Sequence, residues 1–254
     1  MENLLITIAF NGTRYHGFQV QKNALSVCEV FQNAVESVFG ERLNVKGCSR
    51  TDSGVHAGMY CLSMKTDMHI PPHKLVLALN QKLPDDVAVL SARAVPFDFH
   101  ARYLCKQKQY VYKIHNSHIK DPFAERLMYR HPYPLDAAML DREAKDFLGT
   151  HDFTSFCSVR SDVEHHVRTV TECGVTRHGD TVLFTVTADG FLYHMARIMT
   201  GTLLFIAAGK LEAGSIPDII AAKDRNRAGK TMPPHGLYLN HVDYGECYGK
   251  EDHE

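Results

Sequence analysis

Residues 26–65, SVCEVFQNAVESVFGERLNVKGCSRTDSGVHAGMYCLSMK, decide the fold. Ser26 and Glu29 stand at the spacing of a reciprocal helix cap, in which each side chain satisfies a backbone N–H that the first turn leaves over. Val27, Val30, Phe31, Ala34, Val35 and Val38 then recur on one helical face, and Gly40 supplies the stop. Leu43 to Cys48 reads as a short strand, and His56 to Lys65 as a second strand beyond a glycine-containing loop. Upstream, Leu4 to Phe10 is a buried strand closed by the turn pair Asn11-Gly12. Downstream, Pro71-Pro72 opens a helix that runs through Leu75, Leu79 and Leu83 to stop before Pro84, and Val87 to Val95 returns as a strand. Residues 1–102 thus read β-α-β-β-α-β, the ferredoxin-like pattern.

Residues 103–248 repeat that order with longer connections. Tyr110, Tyr112 and Ile114 alternate as a strand; Asp136 caps a helix carrying Met139, Leu140, Ala144, Phe147 and Leu148, which Gly149 ends. Val167 to Arg177 and Thr181 to Ala188 read as a hairpin across His178-Gly179-Asp180. A helix over about His194 to Ala208, a short one over Ile216 to Lys223 and a strand over Leu237 to Tyr244 follow, with boundaries good to ~2–4 residues. The expected fold is α+β, with two ferredoxin-like subdomains, their antiparallel sheets side by side and a catalytic cleft between them. Residues 249–254 form an acidic tail expected to fray.

The chain has 254 residues, 44% of them hydrophobic and 22% charged, which excludes intrinsic disorder and fibrous classes. No window approaches the ~20 uninterrupted apolar residues of a membrane helix, and no leader pattern opens the chain, so the cytosol is the expected location. Seven scattered cysteines without a Cys-x-x-Cys argue for reduced thiols. With 28 Lys+Arg against 29 Asp+Glu, a nucleic-acid surface must be local. Residues 3–28 and 99–120 are such places: neither contains an acid, and both interleave cations with aromatics.

Several chemistries drop out. Gly229-Lys230-Thr231 looks like the end of a phosphate-binding loop, but Asp224 stands where its first glycine belongs and Met232-Pro233-Pro234 cannot begin the required helix. The pairs His115/His118, His69/His73 and His165/His166 lack Cys or carboxylate partners at ligand spacing, so no metal site is expected.

The densest cluster of reactive residue types is Gly47-Cys48-Ser49-Arg50-Thr51-Asp52-Ser53-Gly54-Val55-His56-Ala57, at a strand end. Asp-Ser-Gly alone is ordinary turn chemistry. Arg-Thr-Asp-x-Gly-Val-His-Ala, however, resembles the signature of the TruA-type tRNA pseudouridine synthases. Further matches follow in order: FNGTRYHGFQVQ at 10–21, FHAR at 99–102, Tyr110-Val111-Tyr112, GTHDFTSF at 149–156, FLYHMAR at 191–197 and HGLYL at 235–239. Departures are Cys48-Ser49 for Ala-Gly, Ser53 and Ala196 for other small residues, and Lys108-Gln109 for a basic pair. Loss of charge at Gln109 bears on RNA affinity or substrate choice.

The resemblance implies an isomerase that turns uridine into pseudouridine in the anticodon stem-loop of tRNA, acting as a homodimer. The reaction breaks the N1–C1′ bond, rotates the uracil and joins C5 to C1′, exchanging no atoms or electrons. No cofactor is therefore required. A carboxylate close to the sugar is needed to attack or to take a proton, and the resemblance assigns this to Asp52. A lone carboxylate in a dry pocket keeps its charge only beside a cation, for which the resemblance supplies Arg197. Tyr110 is implied as the base-stacking residue and proton acceptor at C5. Arg50 is implied to fill the place of the base that leaves the stack. Arg14, Arg102 and Lys108 are further candidates for RNA contact. An RNA-binding module without catalysis, or a synthase with a shifted RNA target, are the alternatives.

Overall fold

A computed structural model of the protein describes residues 1–159 and 163–245. The acidic tail and Cys247 lie outside them; the six cysteines within them form no disulfide among the described residues. The chain folds as two compact units of mixed α+β structure, Met1–Lys106 with Leu239 onward, and Gln107–Tyr238.

The first unit contains β1 (Glu2–Phe10), α1 (Val27–Phe39), β2 (Val45–Gly47), β3 (His56–Thr66), α2 (Pro72–Asn80) and β4 (Val87–Val95). This is the order expected from the sequence. β1 lies between β3 and β4, antiparallel to both, with Leu5 opposite Ser63 and Arg93, and β2 pairs antiparallel with β3. Ser26 caps α1 by accepting from the Glu29 N–H, and Gly40, at φ 74°, ends it. The buried face of α1 is centred on Val27, Cys28, Phe31, Ala34, Val35 and Phe39; Val30 and Val38 of the expected stripe sit at its half-buried margins.

β1 is apolar over most of its length because both its faces are covered, with Asn3 and Thr7 the buried polar exceptions. Asn3, Leu5 and Thr7 share a face with Lys65, Ser63 and Cys61, their partners on β3. The chain after β4 closes over that face: Asn3 Nδ2 donates to the carbonyls of Pro96, Phe97 and Phe99, and Ala101 N–H donates to Ser63 Oγ. α2 stops at Asn80 instead of continuing to Leu83. The Asn80 side chain makes a two-way bond with the backbone of Val89, which fixes the chain for its turn into β4.

The second unit contains β5 (Gln107–His115), β6 (Tyr129–Arg130), α3 (Ala137–Ala144), β7 (Gly149–Asp152), β8 (Val167–His178), β9 (Thr181–Ala188), α4 (Met195–Ala207) and α5 (Ile216–Ala222), and it ends in the first residues of β10 (Leu237–Asp243). Its strands run in the order β5-β9-β8-β7, all antiparallel, with β6 parallel to β5. Tyr110, Tyr112 and Ile114 face the same side as Val186, Phe184 and Val182 of β9 and as Cys173 and Val175 of β8, forming one buried row. Helices α3 and α4 pack against this unit's sheet.

Strands β6 and β7 were not expected. The division between units also falls at Lys106/Gln107 rather than at 102/103, and the chain rejoins the first unit at Leu239. The hydrogen bonds that hold it there include Tyr244 Oη to Ala101 O and Lys106 N–H to Asp243 O. No helix among the described residues is long and apolar enough to cross a membrane.

Candidate active site

Asp52 lies, half-buried, in the loop between β2 and β3. The loop is shaped by its own backbone, with Val55 N–H donating to Asp52 O, and Gly54 takes φ 78°. It is then clamped by the segment after β1. Gly54 N–H and Ser53 Oγ donate to Tyr15 O, and Gly12 N–H donates to His56 Nδ1 at 3.0 Å. A Cβ on Gly12 would meet Val55 O at 1.9 Å, and one on Gly17, at φ 81°, would meet Thr51 O at 2.2 Å. The two glycines of the first motif thus let that segment lie directly on the loop carrying Asp52. At the loop's other end, Tyr60 Oη donates to Ser49 O, and the Tyr60 ring stacks on Phe18 at 4.2 Å between centroids.

The side chain of Tyr15 is buried behind this clamp and donates to Asp86 Oδ1, while Arg14 Nε pairs with Asp86 Oδ2 at 2.9 Å. Burial, and then the Asp86 carboxylate, push the Tyr15 phenol up to about 12. Asp86 and His56 are anchors that sequence reading passed over. Their signal is faint, a second carboxylate after a proline and the histidine of the loop motif. The Thr51 hydroxyl is buried beside Asp52 without a hydrogen-bond partner among the described residues.

Of the RNA-contact candidates in this unit, Arg50 is exposed in the same loop, and Arg14 is mostly exposed yet already paired with Asp86. Arg102 is exposed after β4, its guanidinium carbon 6.0 Å from the centre of the Tyr103 ring, which is 76% exposed.

In the second unit Tyr110 stands in the buried row of β5, 6% exposed, with its ring edge-on to Phe191 at 4.8 Å. Arg197 is the third residue of α4 and half-buried. Its Nε donates to Met232 O at 2.7 Å, while Met232 N–H donates back to Arg197 O, which fixes the plane of the guanidinium. The next residue, Pro233, accepts from Tyr112 Oη at 2.8 Å. Tyr112, two positions along the row from Tyr110, is therefore tied to the segment that holds Arg197. Burial pushes the Tyr112 phenol far up, and burial and then the nearby Lys230 charge hold the His131 imidazole down. The His235 imidazole is lowered chiefly by burial, with Arg126 and Arg197 adding to the effect.

Lys108 is half-buried on β5, on the Tyr110 side and opposite Ala188. Gln109 faces the other way, since successive strand residues point to opposite faces. Its amide reaches Thr187 Oγ1 and Glu172 Oε2. The Gln109 side chain thus lies on the face of β5 opposite Tyr110. Lys113, counted in the basic stretch, lies over the Tyr238 ring at 3.8 Å, and burial holds its ammonium pKa down. Gly229 of the rejected phosphate-loop reading packs on the backbone of Gly201 and Thr202 in α4. Among the described residues, no group of three or more His, Cys, Asp or Glu is placed to hold a metal ion.

The chain was compared with known proteins. A family model described as tRNA pseudouridine synthase matches residues 6–104 and 144–245, which include Asp52 and Arg197. A tRNA pseudouridine synthase A of Caldicellulosiruptor saccharolyticus is 43% identical over 96% of this chain and 100% of its own. Proteins of the same name from a Thermoanaerobacter species and from Clostridium acetobutylicum are 42% and 41% identical, again over 96% of this chain and all of theirs. Among solved structures, one titled "Crystal Structure of a Cbf5-Nop10-Gar1 Complex" aligns at 13% identity over 93% of this chain and 48% of that one, with a TM-score of 0.38 too low to bear on the fold. Extended likeness over nearly the whole length, with the clamped Asp52 loop and the anchored Arg197 inside the matched ranges, places this chain in the tRNA pseudouridine synthase family.

Proposed function

We propose that the protein isomerises uridine to pseudouridine in the anticodon stem-loop of tRNA, with Asp52 as the reacting carboxylate. The observation that carries this reading is the clamp on the Asp52 loop. Two side-chain-free positions and a set of hydrogen bonds hold a half-buried carboxylate at a strand end, which preorganises it for attack or proton abstraction at the ribose. Arg197 serves as the cation that pairs with this carboxylate while positive character develops on the sugar. Tyr110 contacts the uracil through its ring and accepts the C5 proton as the C5–C1′ bond forms; N1, released from C1′, regains a proton, so the balance closes without a redox step. Arg50, exposed in the same loop, fills the space that the target base leaves in the stem. Arg14, Arg102 and Lys108 contribute to RNA contact.

With the family resemblance go a homodimer and a cytosolic location. Light scattering on the purified protein checks the first. For the reaction itself, pseudouridine is mapped in tRNA from cells lacking the protein and from the same cells re-expressing it. The modification should vanish from the anticodon stem-loop and return on re-expression; an unchanged map contradicts the reading.

A further inference from the structure

The second unit carries an open depression of about 470 Å³ beside the segment that anchors Arg197. Its walls include Ser158, Arg225, Asn226, Lys230 and Thr231, and no carboxylate lines it among the described residues. Residues 229–232 run along α4 from Thr202, whose Oγ1 accepts from Gly229 N–H, to Arg197, bonded both ways to Met232. Across from them, Ser158 N–H donates to Tyr193 O, just before α4 begins. The depression therefore sits beside a segment that packs on the middle of α4 at Gly201 and Thr202 and whose next residue, Met232, holds Arg197.

Its two cations are an oriented Arg225 and an exposed Lys230. Arg225 donates from Nη1 to Ala228 O and from Nη2 to Thr231 Oγ1, which orients the fork and engages only part of its five N–H donors. Neither Arg225 nor Lys230 makes an ion pair among the described residues. The nearest acid in sequence, Asp224, is engaged elsewhere, its carboxylate capping the following turn by accepting from Asn226 N–H. A rigid, half-buried guanidinium, an exposed ammonium, an amide and two hydroxyls around one open space are a donor set for an anion.

We infer that this depression receives a phosphodiester of the substrate RNA, near the nucleotide that Arg197 serves. The inference rests on the proposed action on tRNA and names a contact that none of Arg14, Arg50, Arg102 or Lys108 supplies. A phosphate held there fixes the RNA backbone against the same segment that fixes Arg197, so the site positions the substrate and leaves the bond-making step to other residues.

The test is tRNA affinity and single-turnover kinetics for wild type, Lys230→Gln, Arg225→Gln, Arg225→Lys and, as control, Lys210→Gln. Lys210 lies past the other end of α4, whose 13 residues span about 20 Å. Lys230→Gln should reduce the slope of log K against log salt by about one and weaken binding by roughly 3-fold or more at low salt. It should leave the rate at saturating tRNA unchanged. Arg225→Gln should do the same, Arg225→Lys should restore the slope, and Lys210→Gln should change nothing. Wild-type slopes in both Gln variants, or an equal loss in the Lys210 control, would overturn the inference. Inorganic phosphate titrated alone separates a free-anion site: a thermal shift lost in Lys230→Gln with the tRNA slope intact also overturns it. Wild-type turnover on the same tRNA is the reference, since its absence defeats the functional reading itself, whereas turnover with unchanged slopes defeats only the depression.

Discussion

Gly17 lies against Thr51 so closely that a Cβ built on it, at φ 81°, would stand 2.2 Å from the Thr51 carbonyl oxygen. The first motif and the Asp52 loop are thus one structural object, joined where no side chain fits.

Gly17→Ala should accordingly uncouple activity from folding. The left-handed backbone alone costs about 1–2 kcal/mol for an alanine, and the clash must shift Thr51 and with it Asp52. A displacement of ~1 Å at a reacting group costs up to about 100-fold. Turnover should fall by that order while thermal unfolding stays cooperative at a lower midpoint. An alanine variant with wild-type turnover would mean that the clamp does not position the carboxylate.

Arg197→Met keeps bulk and deletes charge, and the single-turnover rate should drop by roughly 100-fold or more while tRNA affinity changes little. Arg197→Lys should fall between, because an ammonium cannot both satisfy Met232 O and keep the planar orientation of a guanidinium. Rates for both variants equal to wild type would make Arg197 an ordinary helix residue.

Tyr110→Phe preserves the ring that packs edge-on to Phe191 and removes the hydroxyl. Stability should hold, and release of the C5 proton should slow, by about 100-fold if the phenol is the general base. Unaltered release kinetics would leave the ring with a packing role alone.

Tyr15 sets an alkaline limit on the first unit. Its folded-state phenol, at about 12, lies above the unfolded value of ~10, so the native state binds the proton more tightly. The stability this contributes is complete below pH ~10 and is lost as pH rises toward about 12. Tyr15→Phe should flatten the loss of denaturant stability over that window; an equally steep loss in the variant would show that the buried Tyr15 phenol is not its source.

Gln109→Arg returns a basic residue to β5 on the face opposite Tyr110, where Glu172 awaits it. Turnover should stay within about two-fold of wild type because the added charge points away from the Tyr110 face. A change in which uridines are modified would contradict that placement.

Much of this molecule is written in local spacing. Ser26, Glu29 and Gly40 announce both ends of α1, and the alternation Tyr110, Tyr112, Ile114 announces the buried row of β5. What stayed hidden depends on partners far along the chain. β6 and β7, of two and four residues, are too short for any period to register, and they exist because β5 and β8 offer them an edge. The early end of α2 comes from Asn80 reaching Val89. Asp86 could not be read as the partner of Arg14 and Tyr15 until the fold brought it to them. Gln109 is next to Tyr110 in sequence, and only the strand pairing shows its amide on the opposite face beside Thr187 and Glu172.

The central claim is that Asp52 carries the reaction, and Asp52→Asn tests it most directly. The change is nearly isosteric and leaves the backbone bonds that shape the loop, Val55 N–H to Asp52 O among them. Tritium release from C5-labelled uridine in tRNA is measured for wild type and variant, alongside tRNA affinity. The account predicts no release above background from the asparagine protein, with affinity kept within about 3-fold because no phosphate contact is removed. Measurable turnover by folded, tRNA-binding Asp52→Asn would contradict it.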